Sequence, residues 1–127
     1  PILEVANAGD SSLWMLDRDS GDLTKLTRDD IIGSEPENCI PAIRNWLGGE
    51  EHVLAQWFGK PIRASRAVFA LFSDGVGSYE DHSGAITEWN LRKIMASNTS
   101  AQNKADWIIG ASSIRDDASA IVVEFTA

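Results

Sequence analysis

The sequence predicts an α+β fold in which a layered sheet packs against helices. Two observations indicate this class. Several short segments have the apolar pattern of strands, and two later segments carry apolar residues at helical spacing. Along the chain the order is strands, a mixed stretch, two helices and a last strand. We expect residues 1–127 to form a single domain or a fragment of one.

The first part of the chain predicts three short strands. Ile2–Ala8 and Ser12–Leu16 are the first two, and they are joined tightly at Gly9-Asp10. The polar stretch Asp17–Asp22 predicts a turn, because Asp, Ser and Gly are favoured turn residues. Leu23–Thr27 then has the pattern of a returning third strand.

The middle of the chain is less regular. Asn38–Leu47 predicts a short helix, which Gly48-Gly49 would end. Val53–Phe58 has the pattern of a strand. Val68–Phe72 is apolar at every position, as expected for a strand buried on both faces. This strand ends at Ser73-Asp74-Gly75, where the chain must turn.

Two helices and a last strand are predicted to follow. Thr99-x-x-Gln102 has the form of a capping box and would open the second helix. The strand is predicted at Ala118–Phe125. The residues that share a face are Leu91, Ile94 and Met95 in the first helix, Ala105, Ile108 and Ile109 in the second, and Ile121, Val123 and Phe125 in the strand.

Composition excludes several classes of function. The formal net charge of −8 argues against nucleic acid as a partner, because phosphate backbones are bound by Lys and Arg. No apolar run approaches membrane-spanning length, so no membrane partner is expected. Cys39 is the only cysteine, which excludes an internal disulfide and fits a reducing cytoplasm. Because the first residue is Pro1 and not Met, we expect a processed or trimmed chain.

Three aspartates lie at predicted strand ends: Asp10, Asp74 and Asp116. Carboxylates at the ends of neighbouring strands can converge, and Mg²⁺ and Mn²⁺ prefer such oxygen ligands. Taken singly, each aspartate is more simply a turn residue. His52 and His82 lack metal-ligand spacing and are interpreted as ordinary surface or partly buried histidines.

Five segments form an ordered set of short motifs across nearly the whole chain. They are Val5–Ser11 ending in Gly-Asp-Ser, Leu23–Asp29, Asn45–Gly49, Phe69–Gly75 ending in Ser-Asp-Gly, and Arg115–Val123 beginning Arg-Asp-Asp. In this order and spacing they resemble the motifs of the metal-dependent serine/threonine protein phosphatases of the 2C type, the PPM family. The chain resembles the C-terminal half of such a domain.

The resemblance implies a fold, a reaction and a set of metal ligands. The fold is part of a β-sandwich flanked by helices, with the N-terminal half absent. The reaction is hydrolysis of a phosphorylated protein by a water that two Mg²⁺ or Mn²⁺ ions hold. Asp74 and Asp116 match terminal metal ligands, and Asp10 together with Asp74 matches the ligands of a third, looser ion. No residue of this chain matches a catalytic side chain. Residues 28–66 would contain the variable flap near the substrate.

The sequence departs from the family pattern in ways that affect activity. The Asp-Gly whose carboxylate bridges both ions and the arginine that clamps phosphate belong to the family's first half, and neither is present here. Ser12 stands where the family has Arg, and Asp117 where Asn is common. A two-metal centre needs a bridging ligand to hold its ions about 3.5–4 Å apart. We therefore expect this chain alone to be inactive.

Two other functions stay open at this point. One is a non-catalytic binding or regulatory module that kept the fold, and the other is an unrelated acidic interaction domain. An Asp-Gly-x-Gly-Gly-like motif in the upstream coding sequence would favour the enzyme. Because Val68–Phe72 needs cover on both faces, we also expect a homodimer through an open sheet edge, unless the flap region caps the sheet.

Overall fold

The structure is a computed structural model that describes residues 1–28, 31–32, 42–43, 56–77, 84–114 and 116–127. Its elements follow the predicted order of strands, helices and a last strand. The strands are β1 (Ile2–Asn7), β2 (Ser12–Asp17), β3 (Leu23–Lys25), β4 (Ile31–Ile32), β5 (Ala42–Ile43), β6 (Gln56–Pro61), β7 (Arg66–Phe72) and β8 (Ala120–Thr126), and the helices are α1 (Glu88–Ala96) and α2 (Ala101–Gly110).

A four-stranded antiparallel sheet in the order β3-β2-β7-β8 forms the centre of the fold. β7 is one of its two inner strands, because its residues are apolar on both sides of the pleat. Val68, Ala70 and Phe72 point to one face, where they pack with α1 and α2. Ala67 and Phe69 point to the other. The predicted strand with two buried faces is confirmed, apart from Leu71, which is 39% exposed.

A second sheet lies against the face of the central sheet that the helices leave open. It is a two-stranded ribbon in which β1 pairs with β6 in antiparallel register. Leu3 of this ribbon packs against the cluster that contains Phe69. The two predicted strands on either side of Gly9-Asp10 are confirmed, but they lie in different sheets. The tight connection therefore carries the chain from one layer to the other.

The ribbon covers only part of that face. Ile121 and Val123 of β8 alternate toward it, as the sequence predicted, and yet they are 61% and 54% exposed. A groove with a volume of about 420 Å³ runs over this region and is lined mainly by apolar side chains. We call this surface, formed by Leu71, Ile121 and Val123, the open sheet face.

Both helices begin at residues that cap them. The Thr87 side chain accepts a hydrogen bond from the Asn90 N–H at the start of α1. At α2 the cap is Ser100, whose hydroxyl accepts from the Asn103 N–H. The prediction that a Thr99/Gln102 box opens this helix is therefore wrong by one residue, because Ser is as good an N-cap and lies nearer to the helix.

The buried residues of the helices agree with the predicted stripes. Leu91 and Met95 of α1 and Ala105 and Ile108 of α2 are buried against the sheet. None of the helices in the described ranges is long and apolar enough to cross a membrane.

The middle of the chain is where the sequence predictions fit least well. The predicted helix at Asn38–Leu47 is wrong at Ala42–Ile43, which pair with Ile31–Ile32 as two short strands. The rest of that segment, including Cys39, lies outside the described residues. The strand predicted at Val53–Phe58 is found at Gln56–Pro61, so it continues three residues further than predicted, and residues 53–55 lie outside the described residues.

Candidate metal centre

The three predicted metal ligands leave the central sheet at the same end. Ser12 at the start of β2 pairs with Phe72 at the end of β7, and Phe72 pairs in turn with Ala120 at the start of β8. Asp10 precedes the first of these positions, Asp74 follows the second and Asp116 precedes the third. The strand register thus gathers three carboxylate-bearing loops, which we call the aspartate edge.

The loops that carry Asp74 and Asp116 pack directly on each other. A Cβ built on Gly75 would lie 2.8 Å from the carbonyl carbon of Asp117 and closer still to its oxygen, so only glycine fits here. The Ser73 N–H donates to the Ser119 carbonyl (3.1 Å), and the Ser119 N–H donates to the Ser73 hydroxyl (3.0 Å). The Ser-Asp-Gly motif therefore has a structural purpose in joining β7 to the entry of β8.

A serine that the sequence reasoning missed supports the same loop. The Ser112 hydroxyl lies 2.9 Å from the Gly75 carbonyl oxygen and 3.2 Å from that of Gly84. It also accepts a hydrogen bond from the Ile114 N–H. Ser112 thus links the segment after α2 to the turn that holds Asp74. No periodic pattern marks such a residue, since its partners are backbone groups far away in sequence.

The carboxylates of Asp74 and Asp116 are held in the same way. One oxygen of Asp74 accepts a hydrogen bond from the Gly75 N–H (3.0 Å), and one oxygen of Asp116 accepts from the Asp117 N–H (2.8 Å). Each bond joins a carboxylate to the next residue of its own turn and limits its rotation. The second oxygen of each accepts no hydrogen bond from the described part of the chain, which suits it to a cation.

The loop with Asp10 differs from the other two. Gly9 has a φ of 104°, a left-handed conformation that glycine adopts without strain. This turn moves the chain from the outer ribbon to β2 and leaves Asp10 half-buried. Ser12, in the place of the family's arginine, is fully buried, and its hydroxyl makes no hydrogen bond within the described residues.

The carboxylate oxygens at this edge are the right kind of ligand for a metal ion, but too few of them lie close together. Carboxylate oxygens are the ligands that Mg²⁺ and Mn²⁺ prefer. Within the described residues, however, no three side chains of His, Cys, Asp or Glu are grouped closely enough to hold an ion. The edge therefore provides an incomplete ligand set. His52 and His82 lie outside the described residues.

The fold is that of part of a PPM-type serine/threonine phosphatase domain, and similarity among solved structures establishes it. The chain superposes on the S. agalactiae serine/threonine phosphatase with a TM-score of 0.74 and 14% identity, covering 99% of this chain and 55% of that one. PppA, a key regulatory component of T6SS in Pseudomonas aeruginosa, gives a TM-score of 0.68 and 17% identity, with 98% and 53% covered.

A third solved structure is the catalytic domain of the serine threonine protein phosphatase PstP in complex with two manganese ions. It gives a TM-score of 0.62 and 19% identity, with 99% of this chain and 54% of that one covered. The chain thus spans about half the length of these structures. No protein-family model matches the sequence, and no curated protein does. The expected 2C-type resemblance is confirmed for the fold.

Proposed function

We propose that this chain is the C-terminal, metal-ligand-bearing portion of a Mg²⁺- or Mn²⁺-dependent protein serine/threonine phosphatase. The observation that carries the proposal is the aspartate edge, where the register of β2, β7 and β8 brings Asp10, Asp74 and Asp116 to one end of the sheet. The likeness to solved phosphatases supports the same conclusion through the fold. The substrate class is a phosphorylated protein.

The aspartates have different roles in this proposal. Asp74 and Asp116 act as terminal ligands, since their loops are packed together and each carboxylate is oriented by an N–H of its own turn. Asp10 contributes with Asp74 to a further, looser ion. Bound ions would supply the activated water for phosphoester hydrolysis. In this proposal the chain's own residues bind the metal ions as ligands or orient those ligands, and none acts as a catalytic side chain.

The incomplete ligand set has a direct consequence for activity. Without a bridging carboxylate, two ions cannot be kept at the separation that a two-metal reaction needs. The 127-residue chain by itself is therefore inactive, and the remaining ligands come from the other half of the phosphatase fold.

The test compares the isolated chain with the natural translation product that contains it. In Mn²⁺-supported hydrolysis of p-nitrophenyl phosphate and of a phosphoserine peptide, the chain alone should show no turnover. The natural product should be active, and Asp74→Asn or Asp116→Asn should each abolish that activity. An inactive natural product that still folds would instead support a non-catalytic module, and turnover by the isolated chain, lost in Asp116→Asn, would contradict its inactivity.

The isolated chain is also proposed to form a homodimer. The open sheet face exposes Leu71, Ile121 and Val123, and among the described strands only β7 pairs with β8. Apolar patches and free strand edges are templates for association. A two-fold dimer would cover both features at once.

The acidic charge disfavours nucleic acid as a partner, and the single cysteine supports a cytoplasmic location.

A further inference from the structure

A pocket lined by three arginines lies at the end of the central sheet opposite the aspartate edge. Its volume is about 270 Å³, and its lining includes Arg18, Arg66 and Arg92 together with Asp17, Leu16, Gly21 and Ala96. We call it the arginine pocket. It brings together three parts of the fold, namely the turn after β2, the start of β7 and the last turns of α1.

The distance between the two ends follows from the strands. Arg66 opens β7 and Asp74 follows its last residue, so eight residues of mainly extended chain separate them. At about 3.3 Å per residue this is about 25 Å. The pocket is therefore a separate site and no part of the candidate metal centre.

Two of the arginines are held by neutral acceptors. The Arg18 guanidinium donates through Nη2 to the Ala96 carbonyl oxygen (3.0 Å) and to Asn98 Oδ1 (2.8 Å). The Arg92 guanidinium donates through Nη1 to the Gly21 carbonyl oxygen. These bonds fix the two side chains without neutralising them. Since a guanidinium has five N–H donors, most of them are left for a ligand.

The nearby carboxylates are already engaged in the turn. Asp17 Oδ1 accepts hydrogen bonds from the N–H groups of Asp19 (2.8 Å) and Ser20 (3.1 Å). Asp19 Oδ2 accepts from the Ser65 N–H (2.6 Å) and hydroxyl (2.8 Å). Asp19 also lies near the third arginine, with 3.5 Å between its Oδ1 and Arg66 Nε. Asp22 of the same turn accepts a hydrogen bond from the Ser20 hydroxyl (2.9 Å). The lining of the pocket itself carries three arginines and one carboxylate, Asp17, in a chain of net charge −8.

We infer that the arginine pocket binds a phosphate group. Guanidinium groups match the oxygens of phosphate in charge and geometry. Two sources share this chemistry, inorganic phosphate and a phosphorylated side chain. If the proposed phosphatase function holds, the second source is a phosphoprotein substrate with two phosphorylated residues. One would dock here while the other reaches the aspartate edge, which requires about seven or eight extended residues between them.

The first experiment maps phosphate binding on the unmodified chain. Inorganic phosphate is titrated at constant ionic strength without divalent cations, and backbone amide shifts are followed by NMR. Without a metal, the aspartate edge repels phosphate, so the two ends are distinguished. Saturable shifts at Gly21, Arg66 and Arg92 are expected. No shifts, or shifts confined to other regions, would overturn the inference and would leave the arginines with only the structural role of tying α1 to the sheet.

Variants test the charge itself. Arg92→Gln removes one exposed guanidinium and should weaken phosphate binding roughly tenfold, since charge-assisted bonds are the strong ones. Arg63→Gln removes an exposed arginine outside the pocket and should leave binding unchanged. Equal losses in both variants would mean that phosphate responds only to net charge, against the inference. Should Arg92→Gln fail to fold, the shift map of the unmodified chain decides.

A phosphoserine peptide and its unphosphorylated form separate the two sources. Tighter binding of the phosphopeptide than of inorganic phosphate, with shifts in the same pocket, identifies a phosphorylated side chain as the ligand. Equal binding of the two identifies free phosphate. Neither arm measures hydrolysis, so an inactive natural product would refute the phosphatase proposal without affecting this result.

Discussion

Gly75 and Asp117 touch through their backbones, with 2.8 Å between a Cβ placed on the glycine and the carbonyl carbon of the aspartate. Gly75→Ala would force the two loops of the aspartate edge apart. We expect a loss of about 3 kcal/mol in the free energy of unfolding, measured by urea denaturation.

Gly110→Ala is the matched control for this change. A Cβ there meets nothing within 4 Å, and Gly110 ends α2. Alanine is the better helix former, so stability should stay the same or rise by up to about 1 kcal/mol. Similar losses in both variants would show that the contact between the loops has no special importance.

Lys104 and Glu124 connect α2 to β8 by an ion pair in which only one partner is exposed. The lysine side chain is fully buried and the glutamate side chain is 41% exposed. Glu124→Gln leaves a buried cation without its anion and should cost about 3 kcal/mol. Lys104→Met leaves a carboxylate that water can reach and should cost about 1 kcal/mol. Urea denaturation of both variants checks that Glu124→Gln causes the larger loss in the free energy of unfolding. A larger loss from Lys104→Met would contradict this prediction.

Asp19 makes the stability of the fold depend on pH in the acid range. Hydrogen bonds from the Ser65 hydroxyl and N–H, followed by those from Arg66, lower the pKa of Asp19 below the ordinary value of an aspartate. A carboxylate with a lowered pKa in the folded state stabilises the fold above its unfolded pKa, and this contribution disappears as pH falls through the folded pKa. Asp19→Asn should therefore reduce stability at pH 6, and the reduction should become smaller as pH falls from 6 toward 2.

Thermal or urea denaturation across that range measures the effect, with Ser65→Ala as the companion variant. In the Ser65→Ala background the carboxylate has lost the hydroxyl donor, so adding Asp19→Asn should reduce stability less than it does in the native chain. If the difference in stability between the native chain and Asp19→Asn is the same at pH 2 and pH 6, the ionisation of Asp19 is not its cause.

The metal proposal predicts weak Mn²⁺ binding by the isolated chain. Titration calorimetry should show a weak site, and Asp74→Asn and Asp116→Asn should each lower its affinity by about tenfold or more. Asp106→Asn is the control, because Asp106 lies on the exposed face of α2. Identical heats from the native chain and Asp74→Asn would remove Asp74 from the site.

The proposed dimer predicts a mass that depends on concentration. Light scattering at micromolar concentration should give twice the monomer mass, and Val123→Lys should give a monomer because it places a charge on the open sheet face. Since Val123 is 54% exposed, this change should leave the fold intact. Trp107→Lys, which alters an exposed residue on the helix layer, should still dimerise. A monomer mass for the native chain, unchanged on dilution, would end the dimer proposal.

The sequence predicted the elements that have one dominant local signal. Val68–Phe72 was clear because every residue is apolar, and the helix stripes were clear because Leu91 and Met95 repeat at helical spacing. The placement of the aspartates at a shared strand end was also predicted. Their roles as ligands stay a prediction.

The features that escaped prediction depend on pairing between distant parts of the chain. Ala42–Ile43 have no strand signal of their own, and their extended form comes from pairing with Ile31–Ile32. The exposure of Ile121 could not be foreseen, because an alternating pattern predicts a face but not what covers it. The arginine pocket likewise assembles residues from three elements.

The central sheet consists largely of pairings between residues far apart in the chain. Met15 lies opposite Phe69, and Phe69 opposite Val123, so each of these ladders joins residues more than 50 positions apart. Closing such long loops costs entropy before the contacts can form. Folding should therefore be slow for a chain of this size. Whenever β7 forms before its neighbours pair with it, its run of apolar residues is exposed, and we therefore expect refolding yield to fall as protein concentration rises.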